Sequence, residues 1–146
     1  MAFEIIAVVT NEGKRRMAQA IATAKCFAVN TFAVSSFGHD PANPTLALSP
    51  DPAQLECVPG GVPLFGPEPI DSYTYVGTHC PEFSCTVEEG EAVGVISSVC
   101  LLGTIQCSPI PLDPELGLSF LFAVANMPYW AKTDQDSRTW KITIRF

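Results

Sequence analysis

The chain has 146 residues, of which 47% are hydrophobic and only 16% are charged, and its formal net charge is −7. A chain of this length can bury a core as one domain, and the low charge predicts that partners cover part of its apolar surface. The negative charge argues against binding to nucleic acid or to anionic membranes, since both need clustered Lys and Arg. There is no long apolar run and no secretory pattern at the start, so we expect a soluble protein made in the cytoplasm.

The first predicted elements are a strand and a helix. Residues 3–9 are almost continuously apolar and rich in Ile and Val, which predicts a buried strand. Thr10 is a suitable N-cap, and the residues after it favour a helix from Asn11 to Ala24. The apolar residues at helical spacing, which we expect to face the core, are Met17, Ala18, Ile21 and Ala22.

The middle of the chain reads as short strands between turns. Residues 26–37 alternate with period two, but both sets of side chains are largely apolar, which predicts a strand covered on both faces. Residues 38–44 form a break, and residues 50–69 are rich in proline. The further strands expected from the pattern are residues 73–76, 83–87, 93–102 and 104–107, the last two separated by Gly103.

The strongest strand pattern of the chain lies at residues 116–125. Leu118, Phe120, Phe122 and Val124 alternate with a second apolar set that includes Leu121, Ala123 and Ala125. Residues 140–146 then alternate apolar and polar side chains, as in an antiparallel strand with one buried face. The pattern as a whole predicts a mainly β fold of the α+β type, an antiparallel β-sandwich-like domain over residues 1–146 with one N-terminal helix.

The strand at residues 116–125 also suggests a subunit contact. If one set of its side chains fills the core, then Leu121, Ala123 and Ala125 lie on the opposite face and need cover from another subunit. Tyr129 and Trp130 follow closely and are interpreted as part of the same interface, with a sugar-stacking pair as the alternative.

The cysteines and histidines carry no recognisable metal or catalytic pattern. The six cysteines are interpreted as mainly free, buried thiols, although a disulfide across the small loop from Cys80 to Cys85 is an alternative. His79, Cys80, Cys85 and His39 lack the spacing of a zinc site, so we expect no metal and no cofactor. The chain contains no nucleophile elbow, phosphate loop or zinc-protease motif, and we expect no enzymatic activity.

Several short segments together resemble the phage tail-collar fibre family. They are TNEG at residues 10–13, MAQA at 17–20, FAVSSFG at 32–38, and LFAVANMP at 121–128, with Lys132-Thr133 and a closing strand after them. The resemblance covers about residues 4–48 and 92–146, while residues 50–90 resemble no family.

The resemblance implies a structural role in a bacteriophage virion. It suggests a subunit of the tail, baseplate or fibre-attachment region, in the virion after synthesis in the host cytoplasm. Its expected partners are copies of itself, a trimer by analogy with tail fibres, and neighbouring tail or baseplate proteins. A receptor-binding or capsid decoration module is the alternative, and a small enzyme with an unfamiliar site ranks third.

Overall fold

The computed structural model describes residues 2–77 and 80–145. Within them, helix α1 spans Asn11–Thr23. The strands in chain order are β1 Ala2–Val9, β2 Cys26–Ser35, β3 His39–Asp40, β4 Asn43–Ala47, β5 Phe65–Pro69, β6 Ser72–Val76, β7 Cys80–Val87, β8 Gly94–Cys107, β9 Ser119–Lys132 and β10 Arg138–Arg145.

Eight of these strands form one curled sheet in the order β5-β2-β8-β9-β1-β10-β7-β6, and β3 and β4 form a separate hairpin. Neighbouring strands of the sheet are antiparallel, except that β1 runs parallel to β10. Two consecutive residues show how far the sheet curls. The backbone N–H of Ile70 donates to the carbonyl oxygen of Asn30 in β2, near one edge of the sheet, and the backbone N–H of Asp71 donates to that of Ser84 in β7, near the other edge. The prediction of a mainly β, α+β fold that is rich in antiparallel pairing and has an N-terminal helix is confirmed, and its strands form one curled sheet.

The curled sheet encloses a hydrophobic core that draws on strands from both of its sides. Phe32 of β2 and Phe83 of β7 belong to one cluster, although their strands are far apart in the sheet order. Trp140, Ile142 and Ile144 of β10 are fully buried in that cluster, while the residues between them are more exposed. The alternation predicted for the described part of this strand is therefore confirmed.

The helix begins where the sequence predicts, but its buried face is different. The Thr10 hydroxyl accepts a hydrogen bond from the Gly13 N–H, as an N-cap does. The buried helix residues are Gly13 and Arg16, whereas Ile21 of the predicted apolar stripe is 87% exposed. A Cβ at Gly13 would lie 2.5 Å from the Phe122 carbonyl oxygen, so the helix packs closely on β9 only because that position has no side chain.

Strand β8 is continuous where two strands were predicted. Gly103 does not interrupt it, and β8 pairs with β9 through this position opposite Phe120. A Cβ at Gly103 would lie 2.6 Å from the Phe120 ring, so the glycine makes room for a core aromatic side chain rather than a turn.

Strand β9 contains a β-bulge that reverses the predicted alternation. Leu101 of β8 pairs with Ala123, whereas the next residue, Leu102, pairs with Leu121, so Phe122 is an extra residue without a direct partner. Phe122 and Ala123 consequently belong to the same core cluster, and Leu121 falls in a second one. The predicted assignment of faces is therefore wrong beyond Phe122.

Four of the six cysteines are in disulfides, so the prediction of mainly free thiols is wrong. Cys26 pairs with Cys107 and Cys57 pairs with Cys100, across sequence separations of 81 and 43 residues. The first bond joins the paired ends of β2 and β8, and the second attaches the proline-rich segment to β8. Sheet pairing brings Cys26 and Cys107 together, and the packing of the loop that carries Cys57 brings it to Cys100, so no local sequence pattern indicates either bond.

Candidate functional site

Three of the five residues predicted at a subunit contact are buried within the chain itself. Leu121 is 1% exposed, and Ala123 and Ala125 have no exposed surface. Leu121 packs in a cluster with Ala33, Val124 and the disulfide between Cys57 and Cys100. The cover that we expected from another subunit therefore comes from this chain, and the argument for a contact through these three residues is wrong.

Tyr129 and Trp130, the other two predicted contact residues, lie at an open cleft of about 330 Å³. The bulk of its wall is apolar or aromatic and comes from β1, β9 and β10, which meet here in the sheet. The lining residues are Phe3, Glu4, Ile5, Met127, Pro128, Tyr129, Trp130, Arg138 and Trp140. We call this the aromatic cleft.

Arg138 lies between two aromatic rings in the aromatic cleft. Its guanidinium carbon is 3.7 Å from the centre of the Phe3 ring and 3.6 Å from that of Trp130. The quadrupoles of both rings attract the cation. Burial lowers the pKa of Arg138 from its ordinary value, partly opposed by the charge of Asp136. Among the described residues, none forms a salt bridge or a side-chain hydrogen bond with this guanidinium.

Trp140 contributes an unsatisfied donor to the same cleft. Its side chain is fully buried, and its Nε1–H has no hydrogen-bond partner within the described part of the chain. Its ring packs edge-on against Trp130, with 6.2 Å between the ring centres. A buried N–H group without an acceptor is unfavourable, and because the Trp140 side chain is fully buried this donor is not accessible to a ligand at the cleft surface.

A second surface feature is the loop at residues 108–118, which we call the pinned loop because buried charges hold it. Lys25 Nζ lies 2.7 Å from a carboxylate oxygen of Asp113 and 2.6 Å from one of Glu115. Arg16 of α1 adds a contact of 2.7 Å to the other oxygen of Glu115. The side chains of Lys25 and Asp113 are only 3% and 4% exposed, so these contacts are shielded from solvent.

The charge cluster strongly lowers the pKa values of both acids, Asp113 and Glu115. The pKa of Asp113 falls to about 2, chiefly because Lys25 donates a hydrogen bond and then because Ser108 and the backbone N–H of Glu115 also donate. The pKa of Glu115 also falls to about 2, mainly through hydrogen bonds from Arg16 and Lys25. Both carboxylates are therefore ionised at neutral pH, and the cluster constrains the loop throughout the ordinary pH range.

The pinned loop turns apolar side chains outward. Those that are more than half exposed are Ile110, Leu112, Leu116 and Leu118. Leu112 is 100% exposed and has φ = 56°, a left-handed conformation that is uncommon for a residue other than glycine. A loop that is fixed in place and displays apolar residues is a suitable contact surface for another protein.

A serine and a histidine lie in contact, which the sequence did not indicate because they are 58 residues apart. His39 Nδ1 is 2.8 Å from Ser97 Oγ, which also accepts a hydrogen bond from the Gly38 N–H. Ser97 is fully buried, so its hydroxyl is inaccessible to a substrate. The contacts instead attach the start of the β3–β4 hairpin to β8.

The metal hypothesis raised by the cysteines gains no geometric support. Cys80 and Cys85 are both free, and their odd spacing on β7 points their side chains to opposite faces of the sheet. Burial raises the pKa of the Cys85 thiol. His79 lies outside the described residues, and no group of three metal-ligating side chains occurs in the part of the chain that is described.

Comparison with known proteins identifies no relative. The chain matches no family model, no curated protein and no solved structure. Its one described helix is too short and too polar to cross a membrane.

Proposed function

We propose that this protein is a non-enzymatic structural subunit of a bacteriophage virion, in the tail, baseplate or fibre-attachment region. It acts through contacts with copies of itself and with neighbouring proteins. The motifs at residues 10–13, 32–38 and 121–128 support this role by their resemblance to the tail-collar fibre family. The structural observation that carries the proposal is the pinned loop.

The pinned loop suits a permanent protein contact for energetic reasons. Removing a large aliphatic side chain from water contributes roughly 1.5–3 kcal/mol, and the loop presents four such side chains on a short segment. Because the ion pairs already hold the loop, a partner need not order it on binding, which lowers the entropy cost of association. Leu112 adopts the left-handed conformation, which is strained for a residue other than glycine and is often found at binding sites.

The chemistry of this surface selects a protein partner. Its exposed residues are aliphatic, and the nearest cations, Lys25 and Arg16, are already paired with carboxylates. The chain has a formal charge of −7, which disfavours anionic lipid and nucleic acid. A neighbouring protein with an apolar pocket, or a second copy of this chain, fits the loop best.

The test uses the variant Leu112→Asp, with Leu55→Asp as the matched control. Leu55 is 69% exposed on residues 50–64, so both changes place a carboxylate on an exposed loop and should leave the melting temperature unchanged. We expect wild-type protein to sediment as an oligomer, a trimer by resemblance, and to enter particles. Leu112→Asp should weaken oligomer formation and entry into particles, whereas Leu55→Asp should change neither. Wild-type protein that stays monomeric and never enters particles contradicts the proposal.

A receptor-binding or capsid decoration module is the second candidate, and the aromatic cleft favours it. Tyr129, which is 46% exposed, is one of the residues at that cleft, together with Trp130 and Arg138. The position of the protein in the particle separates the candidates, since a capsid location or an exposed fibre tip favours the second. Immunogold labelling of intact particles measures this directly.

A further inference from the structure

We propose that the pinned loop of one copy of this chain inserts Leu112 into the aromatic cleft of a second copy, in a head-to-tail contact. The inference rests on the proposed self-association and deepens it, because it names the surface that receives the loop. The contact joins two different surfaces of the same protein, so each copy can give a loop to one neighbour and receive a loop from another.

The pinned loop and the aromatic cleft lie at opposite ends of strand β9. Ser119, the first residue of β9, directly follows the loop, whereas Trp130 of the cleft lies eleven residues further along the same strand. A strand advances about 3.3 Å per residue, which separates the two surfaces by roughly 30 Å or more. The loop cannot reach the cleft of its own copy, so this contact requires a second copy.

The two surfaces match in shape and polarity. Leu112 at the tip of the loop is 100% exposed, and Ile110 beside it is 57% exposed. The cleft is concave, and its lining residues other than Glu4 and Arg138 are apolar or aromatic. Its volume of about 330 Å³ exceeds the roughly 150 Å³ of an apolar cavity that holds benzene, so a leucine side chain fits. Insertion removes apolar surface of both copies from water.

Both surfaces are held in place before they meet. In the loop, Asp113 is fixed by Lys25, whose Nζ lies 2.7 Å from its carboxylate. In the cleft, Arg138 stacks between the rings of Phe3 and Trp130 at 3.7 and 3.6 Å, which fixes the aromatic wall. Because neither surface has to become ordered on binding, the entropy cost of the contact is low.

The turns beside the cleft are acidic. Residues 133–137 join β9 to β10, which both line the cleft, and Asp134 in this turn is exposed. The N–H of Gly90 donates to the carbonyl oxygen of Asp134 over 2.8 Å and so attaches the turn between β7 and β8. That second turn adds the exposed carboxylates of Glu88 and Glu89 to the same end of the molecule.

The helix beside the pinned loop is basic. Lys14 and Arg15 are exposed on α1, and their neighbour Arg16 contacts the loop at Glu115. The acids of α1 and of the loop are all engaged in ion pairs, and none of the described residues forms a salt bridge with Lys14. Opposite charges therefore meet when a loop enters a cleft, whereas two cleft ends would repel each other. This complementarity favours a second copy in the head-to-tail orientation.

Mixing two variants tests the contact. Leu112→Asp removes the aliphatic tip and leaves the cleft intact, whereas Phe3→Asp places a carboxylate in the cleft and leaves the loop intact. We expect each variant alone to self-associate about tenfold more weakly, or less still, than wild type. An equimolar mixture should form a mixed dimer with wild-type affinity, because the loop of one variant and the cleft of the other make one intact contact. Sedimentation with one variant fluorescently labelled measures this.

Matched controls separate the contact from general effects of charge. Phe37→Asp makes the same change at a phenylalanine that is 59% exposed and does not line the cleft, and it should leave association unchanged. Lys14→Glu should weaken association about threefold at low salt and have little effect at high salt. Lys141→Glu, at an exposed position on β10, should have neither effect. Unchanged melting temperatures establish that each variant is folded.

Cross-linking tests the same contact without placing a charge in the cleft. Leu112→Cys and Phe3→Cys are prepared as separate proteins, each with Cys80→Ser to remove the partly exposed free thiol. When they are mixed with a short bismaleimide, we expect a covalent dimer that contains one copy of each. Leu55→Cys in place of Leu112→Cys should give no such product, although Leu55 is 69% exposed.

Three results would overturn the inference and leave the proposed function standing. The first is that Leu112→Asp dissociates the oligomer while folded Phe3→Asp associates normally, so that the loop docks elsewhere. The second is that the mixture of folded variants forms no mixed dimer. The third is that Phe3→Asp particles assemble normally but fail to attach to host cells, which would make the cleft a receptor site. Wild-type protein that stays monomeric and never enters particles would instead remove the proposed function itself.

Discussion

Residues 50–64 and the pinned loop at residues 108–118 are both proline-containing loops that leave apolar side chains such as Leu55 and Leu112 exposed, yet they are attached to the fold in different ways. The first is attached through the disulfide between Cys57 and Cys100 and helps to cover Leu121, which would otherwise face solvent. The second is attached through Lys25 and its two carboxylates and leaves its apolar residues outside. The first loop contributes Cys57 to the packing around Leu121, whereas the pinned loop contributes no residue to either core cluster.

The difference lies in what each anchor touches. The disulfide is itself apolar and buried, so the anchor of residues 50–64 is also part of the packing around Leu121. The ion pairs are polar and satisfy one another, so the pinned loop is held without burying Leu112 or its neighbours. The chemistry of the attachment therefore decides whether the anchor of a loop adds to the apolar packing of the core.

The largest effect is expected for Leu121→Asp. Residues 50–64 cover Leu121 within the chain, so the new carboxylate would be buried without a partner, and we expect more than about 4 kcal/mol of destabilisation. Leu118→Asp, at a position that is 52% exposed, should change stability by less than about 0.5 kcal/mol. Urea unfolding of both variants measures this. A stable but monomeric Leu121→Asp protein would restore the subunit contact at this residue.

The next effect is expected on removing the disulfide of residues 50–64. The double variant Cys57→Ala, Cys100→Ala releases a loop closed by a sequence separation of 43, for which chain entropy predicts roughly 4 kcal/mol of lost stability. Hydrogen exchange should increase in residues 50–64 and stay unchanged in the pinned loop. Cys80→Ser is the control, because Cys80 is free and should leave stability within about 0.5 kcal/mol. Increased exchange in both loops would show that their anchors are coupled.

Acid should release the pinned loop selectively. The pKa values of Asp113 and Glu115 are about 2 in the folded chain, below their ordinary values of 3.8 and 4.5. The unfolded chain therefore binds protons first, and the contribution of the cluster is complete above about pH 4.5 and is lost as the pH falls towards 2. Hydrogen exchange of residues 108–118 at decreasing pH follows this loss.

The matched variant for the acid experiment is Lys25→Met, which keeps an unbranched side chain of nearly the same length and removes the charge. Because Lys25 is the first cause of the low pKa of Asp113, the variant should show a weaker pH dependence and a looser loop at neutral pH. Residues 50–64 carry no such cluster, so neither acid nor Lys25→Met should change their hydrogen exchange. A loop that keeps its protection at pH 2 would mean that backbone hydrogen bonds, not charges, hold it.

The smallest effect is expected for Leu112→Gly. Glycine takes the left-handed conformation without strain, and Leu112 has no buried surface to lose, so relief of strain and the extra freedom of the unfolded chain nearly cancel. We expect stability to change by less than about 1 kcal/mol and assembly to weaken. A large loss of stability would mean that Leu112 packs inside the chain, as Leu121 does, and would remove the contrast between the two loops.

Local patterns were sufficient for the elements whose signals lie close together in sequence. Thr10 and Gly13 are three residues apart, and the N-cap between them was predictable from residue preference alone. The alternation in Arg138–Arg145 indicated one buried face, because side chains on a strand point to opposite sides at every step. The strand order was beyond such patterns, since β1 pairs with β10 across almost the whole chain.

The candidate sites were predictable only in part. Tyr129 and Trp130 were singled out as exposed aromatic neighbours, and they do line a cleft. Arg138 was not predictable from the sequence, because a single arginine between a turn and a strand forms no local pattern. Its position follows from the meeting of β1, β9 and β10 in the sheet, and no short stretch of sequence shows that these three strands are neighbours.

The sequence by itself determined the mainly β character, the single N-terminal helix and its start, because these depend on residue preferences and on period-two or helical spacing. Only the tertiary structure decided the bulge at Phe122, the pairing of Cys57 with Cys100, and the cluster of Arg16 and Lys25 with Glu115. In that cluster, Arg16 and Lys25 are 99 and 90 residues away from Glu115 in sequence. The physical reason is that a one-residue offset in a strand exchanges its two faces, and that such an offset depends on the partner strand.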